Sequence, residues 1–256
     1  MTVQNTNNSN PAPRIPLFRT YEQPPGLPQR EFGRRPVSVV RLTTEELSVI
    51  VGALLGDAHL QKRNGSYRLK ITQAATQREY LTWKYRKLQR LCTTTQAPTS
   101  AVDRKGNESV TFYTSSGLWL APIHSLYYEL AESKYVKKIT QALIDSLPMD
   151  PMVLAIWFMD DGSIRNDCYA GKLATQGFTR EESELLCQYL NKWGIVGNVV
   201  YHTVSSGQYY ISIPASSFGR LIEIIEPLDG RGRPSRPIVR EIPTMVYKLN
   251  DLNRTP

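Results

Sequence analysis

Two apolar runs break the polar/apolar alternation of the chain. Leu47 to Leu55 is apolar apart from Ser48, and Met152 to Met159 is apolar throughout. Runs apolar on every side predict buried helices rather than amphipathic surface ones. Each has a start signal: Thr43 and Glu46 have capping-box spacing, and Asp150-Pro151 supplies an N-cap and first-turn proline. Each ends at an acidic residue, Asp57 and Asp161, 104 positions apart. Gly52 and Gly56 share one face of the first helix beside Ala53. Glycine is costly inside a helix, so two at this spacing predict close approach to another backbone.

After each run the period changes to that of strands. Leu60 to Arg63, the turn dipeptide Asn64-Gly65 and Ser66 to Gln73 read as a β-hairpin. Thr72-Gln73-Ala74-Ala75-Thr76-Gln77-Arg78-Glu79 then leads into a helix with Leu81, Tyr85, Leu88 and Cys92 on one side. Downstream, Thr175-Gln176-Gly177-Phe178-Thr179-Arg180-Glu181-Glu182 repeats the T-Q-x-x-T-x-x-E pattern before a helix carrying Leu185, Leu186, Tyr189, Leu190 and Trp193. In both copies the second Thr and the Glu again have capping-box spacing. Gln73 follows Asp57 by 16 residues and Gln176 follows Asp161 by 15, so the chain is an internal duplication.

The remaining elements fall in the same order twice. The first half adds a hairpin turning at Asp103 to Asn107 with a strand from Ser109 to Thr114, then a helix over 118–132. Lys134, Lys137 and Lys138 form a basic patch, and Ile139 to Pro148 links the halves without a Gly/Ser spacer. The second half predicts strands near 163–165, 169–175, 199–204 and 209–213, a turn at Ser205 to Gly207, a helix over 215–225, a basic loop at 231–236 and a closing segment at 242–249. The expected organisation is a Pro-rich flexible extension over 1–40, one mixed α/β unit over 41–133 and a second over 134–256.

Charge narrows the partner. The net charge is +8, which favours a polyanion. No apolar run is long enough to span a bilayer, and no basic amphipathic helix points to a membrane surface. Three cysteines form no CxxC pair and three histidines no ligand spacing, so neither a zinc knuckle nor a disulfide framework is indicated. Seven of seventeen prolines lie between Pro11 and Pro36, with Arg14, Arg19, Arg30, Arg34 and Arg35 among them. Candidate DNA contacts are Gln61, Lys62, Arg63, Arg68, Lys70 and Gln73 in the first half, and Arg165, Lys172 and Gln176 in the second. Arg and Lys pair with guanine, Gln with adenine, and all meet phosphates.

The stretches Ile50-Val51-Gly52-Ala53-Leu54-Leu55-Gly56-Asp57-Ala58 and Leu154-Ala155-Ile156-Trp157-Phe158-Met159-Asp160-Asp161-Gly162 resemble the paired motifs of LAGLIDADG homing endonucleases. The resemblance runs from about Thr43 to Leu252 and is closest to the monomeric two-motif branch of mitochondrial group I introns. It implies two pseudo-symmetric αββαββα repeats forming a saddle on double-stranded DNA. It further implies Mg²⁺-dependent cleavage at a long asymmetric site with short 3′ overhangs, using two or three divalent ions, with Mn²⁺ as a substitute. By the same resemblance Asp57 and Asp161 are metal ligands, completed by the Gly56 and Asp160 carbonyls, Lys138 and Lys248 are the active-site lysines, and Gln73 and Gln176 either position water or contact DNA. Membership implies an organelle, mitochondrion or plastid. Gly56 and Asp160 depart from the motif's usual Ala, so the two helices are unequal, which fits a monomer. The alternative is an RNA-binding maturase acting on its own intron RNA. A transcription factor on the same scaffold is disfavoured by both aspartates being present.

Overall fold

The computed structural model describes residues 40–92, 98–203, 207–227, 229, 231, 235 and 238–249. The expected N-terminal extension with its five arginines lies outside these residues, as do most of the Ser205–Gly207 turn and of the 231–236 loop.

The two apolar runs are helices, α1 (Thr44–Leu55) and α5 (Pro151–Asp161), and they form the seam of the molecule. Thr43 and Glu46 close a capping box on α1, and the Asp150 side chain accepts from Met152 N on α5. The other Asp150 carboxylate oxygen accepts from the Ser48 hydroxyl of α1 at 2.7 Å, tying the two helix starts together. A Cβ on Gly52 would stand 2.9 Å from the Val153 carbonyl and 3.0 Å from Ile156 Cβ. The glycines of α1 thus let α5 approach backbone to backbone.

Each seam helix begins an αββαββα unit. The first runs α1, β1 (His59–Arg63), β2 (Ser66–Ala74), α2 (Arg78–Leu88), β3 (Thr99–Val102), β4 (Glu108–Tyr113) and α3 (Ala121–Tyr127). The second runs α5, β7 (Gly162–Ile164), β8 (Gly171–Ala174), α6 (Arg180–Lys192), β9 (Asn198–Thr203), β10 (Gln208–Ile213) and α7 (Ala215–Ile225). Their antiparallel sheets have matching orders, β1-β2-β4-β3 and β7-β8-β10-β9. Asn64 (φ 41°) and Gly65 (φ 80°) give the left-handed pair that a type I′ hairpin turn requires. Leu60, Leu69, Ile71 and Val110 of the first sheet and Leu173, Ile211 and Ile213 of the second are buried beneath the helices. Alternation leaves Gln61, Arg68 and Lys70 on the open face of one sheet and Lys172, Tyr210 and Ser212 on that of the other. Among the described residues no helix is long and apolar enough to cross a membrane.

Two local expectations change. The helix expected to reach residue 132 stops at Tyr127, and the chain enters a hairpin of β5 (Tyr128–Ala131) and β6 (Lys134–Lys137). Tyr128 and Leu130 suit a strand as well as a helix, and pairing with β6 decides the matter. The expected division between 133 and 134 falls at this hairpin's tip. Residues 141–146 of the connecting segment form α4 (Gln141–Ser146), N-capped by Thr140. Thr179 and Glu182 make a full capping box on α6. Thr76 and Glu79 do not: residues 75–77 form a 3₁₀ turn, and Glu79 accepts instead from Thr244 N at 3.1 Å. The C-terminal segment has taken the Glu79 carboxylate that a capping box would use.

Candidate active site

Asp57 and Asp161 emerge where α1 and α5 end side by side. Gly56 makes this possible, because a Cβ there would fall 2.5 Å from Asp160 Cβ and 2.7 Å from its carboxylate. Asp57 is exposed, and its carboxylate accepts from the Gln73 side-chain amide at 2.9 Å. Asp161 is half-buried, and burial together with the nearby charges of Asp57 and Asp160 pushes its carboxyl up to about 7. Carboxylates that repel one another this way favour an arriving cation.

The two acidic neighbours in the second motif face opposite ways. The side chain of Asp160 has no solvent exposure and pairs with the equally buried Lys84 of α2 at 2.6 Å. It also accepts from the Gln73 amide at 3.1 Å and from Asp57 N at 3.4 Å. The residue as a whole is half-buried, so its exposed area is backbone.

A lysine stands at each helix end. Lys137 Nζ donates to the carbonyls of Leu54, Gly56 and Ala58 at 2.8, 3.2 and 3.1 Å, closing the C-terminus of α1. Burial pulls Lys137 down to about 8 against the attraction of Asp161, Asp57 and Asp160. Lys248, 8% exposed in the closing segment, donates to the Gly162 carbonyl just past α5. The family resemblance assigns this role to Lys138. The structure turns Lys138 to Glu182, 3.9 Å away, and presents Lys137 to the aspartates. Adjacent residues leaving a strand face opposite sides, so an offset of one exchanges them.

The expected DNA contacts also separate by face. Gln61 and Arg68 are cross-strand partners joined at 2.8 Å, and the Arg68 guanidinium lies 4.0 Å over the Tyr113 ring. Arg63 and Lys70 share their face; Lys62 does not, for it lies on the Leu60 side bound to the Tyr135 hydroxyl at 2.9 Å. Gln73, only 5% exposed, belongs to the aspartates rather than to the open sheet. In the second half Lys172 is on the open face with its ammonium 5.5 Å from the Tyr210 ring. Arg165 is clasped by Asp167 at 2.6 and 2.9 Å. Gln176 is half-buried and makes no counterpart of the Gln73–Asp57 contact among the described residues.

This arrangement can be set beside known proteins. Residues 47–221 match the model of the LAGLIDADG DNA endonuclease family. The chain belongs to that family. It is 26% identical to DNA endonuclease I-ChuI of Chlamydomonas applanata over 83% of this chain and 98% of that protein. It is 28% identical to cytochrome b mRNA maturase bI2 of Debaryomyces hansenii over 82% of this chain and 75% of that protein. Its fold matches the homing endonuclease I-WcaI bound to its DNA recognition sequence, with a TM-score of 0.65 at 22% identity, over 81% of this chain and 87% of that one. The saddle architecture is therefore that of LAGLIDADG endonucleases.

One residue of the site, Lys84, is not among the candidates read from the sequence. Lys84 occupies the apolar stripe of α2, between Leu81 and Leu88 and next to Tyr85, all buried. A lysine on the inward face of an amphipathic helix was itself the clue.

Proposed function

We propose that this protein is a site-specific double-strand DNA endonuclease of the intron-homing kind, acting as a monomer on a long asymmetric target and leaving short 3′ overhangs. The carrying observation is the meeting of Asp57 and Asp161 at the paired helix ends, with one lysine behind each, Lys137 half-buried and Lys248 buried. A duplex has two scissile phosphates, and two half-sites in one chain suit a double-strand cut.

The donor set fits hard divalent cations. Among the described residues no three His, Cys, Asp or Glu side chains gather as ligands, but Mg²⁺ is usually held by one or two carboxylates together with substrate phosphates and waters. Asp57 and Asp161 would hold it with the Gly56 and Asp160 carbonyls, Mn²⁺ serving as substitute. Bound there, such ions supply phosphate neutralisation and an activated water. The rest of the chemistry belongs to the chain. Gln73 fixes the Asp57 carboxylate, and Lys137 and Lys248 set positive charge beside the place where phosphorane charge develops. The open sheet faces supply phosphate and base contacts: Gln61, Arg63, Arg68 and Lys70 on one half, Lys172 on the other. Their unequal charge suits an asymmetric site.

The test is Mg²⁺-dependent cutting of intronless host-gene DNA with mapped ends, beside Asp57→Asn and Asp161→Asn. Paired nicks with a short 3′ overhang, lost in both variants, are expected. The bI2 relative supports a second reading, a maturase on its own intron RNA. Tight RNA binding and splicing help without any cut would replace the first reading with it. Family resemblance supports an organellar site, mitochondrion or plastid.

A further inference from the structure

The buried ion pair Lys84–Asp160 occurs once in a molecule built twice. One position before each motif aspartate stand Gly56 and Asp160; five positions after each repeat glutamate, Glu79 and Glu182, stand Lys84 and Cys187. The symmetry-related pair is thus Gly56 with Cys187, which carries no charge pair at all. Cys187 is a buried thiol packed in the second half near Gly197. The first half is therefore joined to the second motif helix by an ionic link with no counterpart.

Energetics argue against stability as the reason for this link. Withdrawing two charges from water usually offsets what their attraction returns, and apolar replacements of similar volume are often as stable. Such a pair is better suited to fixing geometry, and its neighbours show what it fixes. Tyr80 covers the ammonium with its ring centroid at 4.1 Å and directs its hydroxyl to the Ile156 carbonyl at 3.3 Å. The Asp160 carboxylate, anchored by Lys84, receives the Gln73 amide, whose same nitrogen reaches Asp57. The contacts run Lys84, Asp160, Gln73, Asp57 without a break, and all but the last side chain is buried.

We infer that Lys84 and the Asp160 side chain are positioning residues that act through Gln73 to hold Asp57, so that the Asp57 half-site is pre-set while the Asp161 half-site has no equivalent brace among the described residues. The proposal rests on the endonuclease reading for its consequence in cleavage, but not for its geometry. Loss of such an outer partner of a ligand typically costs roughly ten- to a hundredfold in metal affinity or activity.

The experiment compares Lys84→Met, Asp160→Asn and the double variant Lys84→Met/Asp160→Asn with the parent in the full chain. The double variant removes both charges and serves where Lys84→Met alone leaves Asp160 buried without a partner and fails to fold. Two readouts are taken: NMR of the Gln73 side-chain amide without metal or DNA, and strand-resolved nicking in Mg²⁺. The Gln73 amide protons are expected to exchange with water at least about tenfold faster in the double variant. One DNA strand is expected to be nicked at least about tenfold more slowly relative to the other than in the parent. A Gln73 amide unchanged in the double variant overturns the proposal, and so does an equal loss on both strands. If the parent cuts no DNA, the endonuclease reading fails alone, and the Gln73 amide still decides the positioning role.

Discussion

Gly52→Ala is expected to destabilise this protein although alanine is the better helix former. Replacing an interior helical glycine gains about 1 kcal/mol from propensity. Against that, the new Cβ would meet the Val153 carbonyl at 2.9 Å and Ile156 Cβ at 3.0 Å. Both are rigid parts of the facing helix, so relief requires the helices to part. The seam is pinned at its start by Ser48–Asp150 and at its end by Gly56 against Asp160, so separation cannot stay local. Overpacking of this kind costs about 1–3 kcal/mol, and with backbone as the obstacle the upper half applies. The net loss is about 1–2 kcal/mol, or roughly 2–8 °C in Tm for a protein of this size. Gly219→Ala is the control. It lies within α7, where the nearest atom to a new Cβ is Tyr169 Cε1 at 3.9 Å, an ordinary contact. That variant should gain about 0.5–1 kcal/mol and melt roughly 1–4 °C higher. Thermal melting followed by circular dichroism reads both signs. A Gly52→Ala protein melting at or above the parent would refute the close-packed seam.

The remaining predictions use the site, a cap and the DNA face. Asp161 is shifted from its ordinary value near 3.8 to about 7, so between those values the folded chain holds a proton the unfolded chain releases. Stability without metal should therefore fall as pH rises from about 4 through about 7, by about 1–2 kcal/mol once solvent access is allowed for. Asp161→Asn should flatten that slope in chelator-treated protein, and an unchanged slope would count against the charge cluster. Thr179→Ala should cost about 1 kcal/mol by removing the α6 capping box, while Thr76→Ala should cost little, as measured by urea denaturation. Arg68→Ala should lower the salt dependence of DNA binding by about one unit of slope. Lys62→Ala, on the opposite face, should leave it unchanged; equal effects would mean the faces are assigned wrongly.

What could be read directly from the chain was whatever depends on neighbours in sequence. Apolar runs with Thr43, Glu46 and Asp150 before them set the seam helices, Asn64-Gly65 set a hairpin turn, and the T-Q-x-x-T-x-x-E repeat set the duplication. These are local causes: hydrogen bonds over three or four residues, a left-handed turn, a period of two or 3.6. The tertiary structure decided everything that depends on which face a residue shows or what lies across from it. Lys137 rather than Lys138 reaches the aspartates because β6, unforeseen as a strand, fixes the alternation there. Gln73 leaves the DNA face for Asp57 because its strand position points to the core. Asp160 turns from the site to Lys84 because Gly56 leaves room across the helix pair and α2 delivers an ammonium into it. Sequence determined that two aspartates end two buried helices. Only packing, which pairs residues scores of positions apart, determined which lysines, amide and carboxylate surround them.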